Sequence, residues 1–146
     1  MATPDFTGEA EEDWILATLK TLAGGRVWET QVPDDVDLPR IPDGGVKPYI
    51  VVRFAEPLSS AQGRNIATGE QGQPQRLSFT VLVVGSDADS VKAVSRAHRR
   101  LLLGAQPSSL ATPIKSSGGF AYSDSEAGSR PTRFNRATFY VTIINR

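Results

Sequence analysis

A strand that runs directly into a helix is encoded in residues 75–104, QRLSFTVLVVGSDADSVKAVSRAHRRLLLG. In residues 76–85, large apolar side chains alternate with a second face that begins with Ser78 and Thr80, which is the period of a strand. Residues 86–90 supply capping side chains, and an apolar stripe at helical spacing then runs to Gly104. The stripe consists of Val91, Val94, Ala97 or His98, Leu101 and Leu102. This segment therefore predicts a strand followed by a helix over residues 91–103.

Further elements are predicted on both sides of this unit. Residues 9–23 have the pattern of an amphipathic helix, with Thr7 as N-cap and the pair Gly24 and Gly25 as its end. Residues 26–32 and 133–145 alternate as strands do, and residues 49–54 form the nearly continuous apolar run of a central strand. Residues 33–48 contain four prolines and predict an irregular connection.

The order of these elements predicts one α+β domain over residues 1–146. Two helices and four to five strands, mostly at hairpin-like spacing, indicate an antiparallel or mixed sheet with both helices packed on one face. We expect the core to be built from Trp14, Phe54, Phe79, Leu101 and Phe139.

Two long polar segments interrupt the pattern, at residues 56–75 and 107–131. The first is rich in Gly and Gln; the second is rich in Ser, Gly and Ala, with short β-like pieces at residues 113–115 and 120–122. Loops longer than about 12–15 residues are usually functional or disordered, and ordering them costs conformational entropy. We therefore expect both segments to be ordered by a neighbouring copy of the chain, with flexible loops as the alternative.

The composition excludes several classes of protein. The chain has no cysteine, which rules out disulfides, thiolate metal sites and a cysteine nucleophile. The longest apolar runs, at residues 81–84 and 139–144, are far short of the ~20 residues that span a bilayer. Residues 1–10 also lack the basic and apolar regions of a signal peptide. We expect assembly in the cytoplasm and no contact with membranes.

Net charge is zero, but it is unevenly distributed along the chain. Residues 1–73 hold twelve acids and six bases, whereas residues 74–146 hold four acids and ten bases. The pattern allows faces of opposite charge that could orient copies of the chain or its partners. An acidic first helix that happens to precede a basic second helix is the alternative interpretation.

The sequence contains no recognisable catalytic motif. His98 is the only histidine; we expect it on the helix surface or half-buried, where neighbouring arginines lower its pKa. The clustered aspartates of residues 34–43 and the pair Asp87 and Asp89 lack the spacing of a calcium loop, and are explained by a turn and by helix capping. Phosphate-binding, hydrolase and zinc-protease motifs are absent. We expect a protein that is not an enzyme and takes no cofactor or metal.

Nucleic-acid binding is an alternative function of another class, as is a small adaptor domain. Lys92, Arg96, Arg99 and Arg100 make the second helix basic, and more arginines lie in residues 130–146. A net charge of zero argues against dependence on phosphate contacts, and the four positions also fit the ordinary polar face of an amphipathic helix.

Self-association is the function that the polar segments and the charge pattern favour. The candidate interface residues are Arg64 and Asn65 in the first long segment, and Arg99 and Arg100 on the second helix. Glu11 and Glu12 on the first helix are their candidate partners of opposite charge. Deletion of residues 62–72 should leave a folded monomer that no longer assembles.

The chain also resembles the tail terminator (tail completion) proteins of long-tailed bacteriophages over nearly its whole length. The resemblance lies in the order of an acidic helix, VWETQVP, PYIVVRF, a long Gly/Gln segment, QRLSFTVLVVGSD, ADSVKAVSRAHRRLLLG and a final RFNRATFYVTIINR. It implies an α+β subunit of a hexameric ring that caps the tail tube, ends tube polymerisation and joins tail to head.

The resemblance also implies partners: the chain itself, the major tail tube protein and the head-side connector protein. Genomic DNA would pass through the ring without sequence recognition. The implied location is the virion, at the neck end of the tail. A head-closure, neck or minor tail protein of similar size is the alternative within the same structural class.

Overall fold

The structure is a computed structural model that describes residues 8–33, 36–42, 44–55, 58–59, 74–124 and 133–145. The two α-helices are α1, Glu9–Leu19, and α2, Ala88–Leu102. A short 3₁₀ turn, Ala23–Gly25, follows α1. The strands are β1, Val27–Glu29; β2, Tyr49–Phe54; β3, Leu58–Ser59; β4, Gln75–Gly85; β5, Lys115–Asp124; and β6, Arg133–Ile144.

The described strands form one mixed sheet in the order β1-β2-β4-β6-β5, and the two-residue β3 pairs with β4. Only the β1–β2 pair is parallel; the others are antiparallel. Strands β2 and β4 occupy the centre because their alternating apolar residues can be buried on both faces of the sheet. The mixed sheet and two helices confirm the predicted α+β class.

Both helices cover the same face of the sheet. Ile15 and Leu19 of α1, and Val91 and Leu102 of α2, are buried in one cluster with residues of β2, β4 and β6. Helix α2 begins at a capping site, where Asp87 accepts a hydrogen bond from the Asp89 N–H. The predicted arrangement of two helices on one face is therefore confirmed.

The opposite face of the sheet is covered only in part. Residues that follow β1, including Val32 and Leu38, pack with Val46 and the β2 residues Tyr49 and Val51 in a second, smaller cluster. This cover lies over β1, β2 and part of β4, and among the described residues the outer side chains Phe120, Tyr122 and Phe139 of β5 and β6 remain exposed.

The predicted core was right in part. Phe79 is buried, and Trp14 and Phe54 pack against the main cluster while remaining partly exposed. The prediction that Leu101 and Phe139 belong to the core was wrong, because these residues are 40% and 36% exposed. Phe139 lies on the outer face. The buried residues of α2 are Val91, Ser95, His98 and Leu102, so Val91, Leu102 and the alternative His98 of the predicted stripe are buried, whereas Ser95 was not predicted and Val94 is only partly buried.

The boundaries of the first helix and of the second long segment also differ from the predictions. Helix α1 ends at Leu19, its N-cap is Gly8, and Thr7 lies outside the described residues. Residues 115–124, predicted as loop with short β-like pieces, form the ten-residue strand β5. Ala111 and Ile114 are buried in the same molecule. The described part of this segment is thus ordered by its own chain, because hydrogen bonds to β6 offset the poor strand propensity of its Ser and Gly residues.

Candidate functional site

A basic cleft lies between α2 and the strands β5 and β6. It has a volume of about 690 Å³, and the described residues that line it include Lys92, Arg96 and Arg99 of α2 and Arg136 of β6. The three helical residues share one face because their spacing follows the helical period. No acidic residue is among those lining the cleft, which can therefore attract carboxylate or phosphate groups.

The strand wall of the basic cleft is built around two glycines. Gly118 has φ +118° and follows a β-bulge at Ser117, where the pairing with β6 shifts. The Gly118 N–H donates to Ser116 Oγ at 3.3 Å, and that hydroxyl donates to the Phe139 carbonyl at 3.2 Å. A Cβ at Gly119 would overlap the Ala137 carbonyl oxygen. Glycine at position 119 therefore lets β5 approach β6 closely enough to pair.

An exposed aromatic cluster lies on the other face of the same two strands. Phe120, Tyr122 and Phe139 are 54%, 42% and 36% exposed. The Phe120 ring centroid lies 5.5 Å from that of Tyr122 and 5.8 Å from that of Phe139. The three rings form a contiguous apolar surface of the kind found at protein interfaces.

Strand β5 also ends the sheet. It is last in the strand order, and among the described residues β6 is its only strand neighbour. Its outward N–H and C=O groups therefore form an edge that can pair with another chain. The basic cleft, the aromatic cluster and this edge meet at one end of the sheet, which we call the β5 end.

A buried polar pair lies beneath α2. The His98 Nδ1 and the Tyr140 hydroxyl form a hydrogen bond of 2.7 Å, and their rings meet edge to face. His98 is fully buried, so the prediction of a surface or half-buried position was wrong. Burial, with a smaller contribution from the charge of Arg99, lowers the pKa of His98 to about 4. Burial raises the pKa of Tyr140 above its ordinary value. The histidine is neutral at pH 7 and has a structural role.

The structure separates the predicted interface residues. Arg99 and Arg100 are both exposed on α2, but only Arg99 lines the basic cleft. Glu12 is half-buried on α1. Glu11 is fully buried, and its Oε1 accepts a hydrogen bond of 2.9 Å from Ser108 Oγ. A surface ion pair by Glu11 is thus excluded, because its side chain points inward from α1. Arg64 and Asn65 lie outside the described residues.

The sequence analysis missed the aromatic cluster. It also missed that Arg136 of β6 lies beside the basic residues of α2. The alternating Phe120 and Tyr122 were a signal for a strand with one aromatic face. Arg136 could not be placed beside α2 without the register of β6.

The described residues offer little for catalysis. No group of three or more histidine or acidic side chains among them could hold a metal ion. Within the same residues, no helix is both long and apolar enough to span a bilayer. The chemistry that this surface supports is the binding of anionic groups and of apolar or main-chain partners.

Comparison with known proteins gives a structural neighbour but no family. No family model matches the chain, and no curated protein matches its sequence. The fold is similar to that of a solved chain from the virion of a native gene transfer agent (GTA) particle, with a TM-score of 0.63. That match covers 97% of this chain and 100% of the GTA chain, at 14% sequence identity. The two chains share a fold along their length.

Proposed function

We propose that the protein is a structural subunit of a phage-like virion, and specifically a tail terminator. The observation that carries this proposal is the fold similarity to a chain of a GTA virion, which extends over 97% of the present chain. The order of sequence elements that resembles tail terminators supports the more specific role. In this role the protein is not an enzyme and acts through its surfaces.

The proposed subunit assembles into a hexameric ring on the end of the finished tail tube. The β5 end supports self-association, since it combines an unpaired strand edge with exposed aromatic rings and a row of cations. A head-to-tail contact that uses two different surfaces of one subunit closes into a ring when its rotation permits. Arg99, Arg100 and Glu12 remain predicted interface residues.

The proposed ring has three further partners. One side binds the major tail tube protein and stops polymerisation, and the other side meets the head-side connector protein. Genomic DNA passes through the opening without sequence recognition. The protein is assembled in the host cytoplasm and resides at the neck end of the tail in the virion, away from membranes.

A tube-growth assay tests the proposal. Purified tail tube protein is polymerised with and without the protein, and electron microscopy measures tube length and the ends. We expect shorter tubes of uniform length with a ring at one end. Lys47→Gln, an exposed change outside the basic cleft and outside the predicted interface residues, provides a control for surface substitution.

Binding partners separate the proposal from its alternatives. Capture of the head connector but not of the tail tube protein would favour a head-closure or neck protein. Salt-sensitive binding of duplex DNA without ring formation would favour a nucleic-acid-binding domain. Failure to cap tubes and failure to bind either virion protein would overturn the virion role.

A further inference from the structure

We propose that the basic cleft is the receiving site for helix α1 of a second copy of this chain. This inference rests on the proposed ring and names the two surfaces that form its repeating contact. It shares Arg99 with the interface residues predicted from the sequence and adds residues of α1, α2 and β6 that were not predicted.

The layer of helices stops before the sheet does. Helix α1 contacts β1 and α2, and α2 contacts β4 and β6. Beyond α2, the basic cleft opens over β5 and β6, and among the described helices only α2 borders this part of the sheet. A helix from another copy that lies in the cleft would continue the layer of helices beyond α2, over β6 and β5.

Helix α1 has an exposed face suited to this position. Glu9 and Asp13 are exposed one turn apart, and Ala10 and Ala17, which are two turns apart, are exposed on the same side of the helix. The alanines are small enough to permit close approach of another helix. No basic residue occurs in α1 itself, so its exposed face is acidic.

The charges of the two surfaces are complementary in sign and spacing. Lys92 and Arg96 line the cleft at positions i and i+4 of α2, the same separation that relates Glu9 and Asp13 on α1. Arg99 and Arg136 add two more cations within the cleft. Charges so arranged fix the orientation of a contact.

Nucleic acid fits the cleft less well. The whole chain has a net charge of zero, whereas domains that depend on phosphate contacts usually carry a positive excess. A concave site of about 690 Å³ can receive a helix face with short acidic side chains. Because one copy offers its α1 and the next its cleft, the contact is head-to-tail and can close a ring.

Charge reversal with rescue tests the inference. Arg96→Glu in the cleft and Asp13→Arg on α1 should each weaken self-association by roughly 100-fold, since each places like charges together. An equimolar mixture of the two variants should restore assembly, because each reversed surface then meets a complementary one. The double variant in one chain should also assemble. Lys47→Glu, which reverses an exposed cation outside the cleft lining and outside both helices, is the control.

Mass in solution, measured by light scattering and sedimentation, provides the main readout, and urea unfolding verifies that each variant is folded. Assembly that survives both reversals, or that is not rescued by mixing, would overturn this contact while leaving the tail-terminator role intact. Rescue by mixing without tube capping would support the contact and count against that role. If the wild type forms no ring in solution or on tubes, both fail. Loss of DNA binding by Arg96→Glu with assembly unchanged would identify the cleft as a nucleic-acid site and overturn the inference.

Discussion

The two ends of the sheet are constructed in opposite ways. At the β1 end, α1 covers one face, residues that follow β1 cover the other, and the edge strand has only three residues. At the β5 end, the described structure leaves a basic cleft on one face and aromatic rings on the other, beside an edge strand of ten residues. An edge of this kind invites pairing with other chains unless it is covered. The comparison indicates that the β1 end is stabilised within the subunit and that the β5 end is completed by assembly.

Substitution of two adjacent residues of β6, Tyr140 and Phe139, should give the largest difference in the free energy of unfolding. Tyr140 is buried against Phe79, with ring centroids 5.3 Å apart, whereas Phe139 faces outward. Tyr140→Ala should lower the free energy of unfolding by about 3–5 kcal/mol, because it leaves a large cavity. Phe139→Ala should cost less than about 1 kcal/mol. Urea unfolding at concentrations too low for self-association measures both. Equal losses would mean that the outer face belongs to the subunit core.

The buried histidine makes stability depend on pH in a defined direction. The pKa of His98 is about 4 when folded and 6.5 ordinarily, so the unfolded chain binds more protons between these values. Stability from this group is complete above pH 6.5 and decreases as pH falls towards 4. Between pH 6.5 and 5 the loss should be about 2 kcal/mol.

His98→Leu provides the control for this pH dependence. It removes the titrating group, so this part of the slope should disappear even though loss of the hydrogen bond to Tyr140 lowers stability at every pH. Urea unfolding at several pH values gives the slopes. An unchanged slope in the variant would assign the pH dependence to other groups.

Substitution of Gly119 in β5 should have a smaller effect on stability, confined to this strand. A Cβ at Gly119 meets the backbone of β6, so Gly119→Ala should push β5 outward. An edge strand can shift more readily than a central one, and we expect a cost near the low end for overpacking, about 1 kcal/mol. Hydrogen exchange should be faster in β5 and unchanged in β2. Ser117→Ala, at the bulge in the same strand, serves as a control; similar exchange in both variants would contradict the close approach at Gly119.

Local sequence patterns were sufficient to predict the strands whose own residues form an apolar run or alternate in polarity. The apolar runs of β2 and β4 and the alternation in β6 predicted those strands to within one residue. Strand β5 was missed because SSGG has poor strand propensity and pairs only because β6 lies beside it. In α2, the sequence left Ala97 and His98 as alternatives for one position of the apolar stripe, because burial of His98 depends on Tyr140, 42 residues away. Local hydropathy identifies neither β6 as the partner of β5 nor Tyr140 as the partner of His98.

The candidate site was predictable only in fragments for the same reason. The basic residues of α2 were visible in the sequence, but Arg136 joins them through the pairing of β6 with β4. Glu11 was taken for a surface acid because it lies in an acidic run, although the helical period turns it towards Ser108. Long-range contacts therefore determine which of the predicted charges can meet a partner.

Substitutions in the aromatic cluster should have the smallest effect on the free energy of unfolding. They test whether the β5 end is completed by another copy of the chain. Phe120→Ser changes a side chain that is 54% exposed, so the free energy of unfolding should change by no more than about 0.5 kcal/mol. If another copy covers the β5 end, the same substitution removes apolar contact area and should weaken self-association by at least tenfold, about 1.4 kcal/mol.

Leu101→Ser distinguishes this surface from exposed apolar residues in general. Leu101 is 40% exposed on α2 but does not line the basic cleft, so its replacement should leave both folding and assembly nearly unchanged. Sedimentation over a range of protein concentrations compares the two variants with the wild type. If Leu101→Ser weakened assembly and Phe120→Ser did not, the assembly surface would lie near the end of α2. Because both substitutions replace an exposed apolar group with the same small polar one, a difference between them reports position in the assembly rather than a general change in solubility.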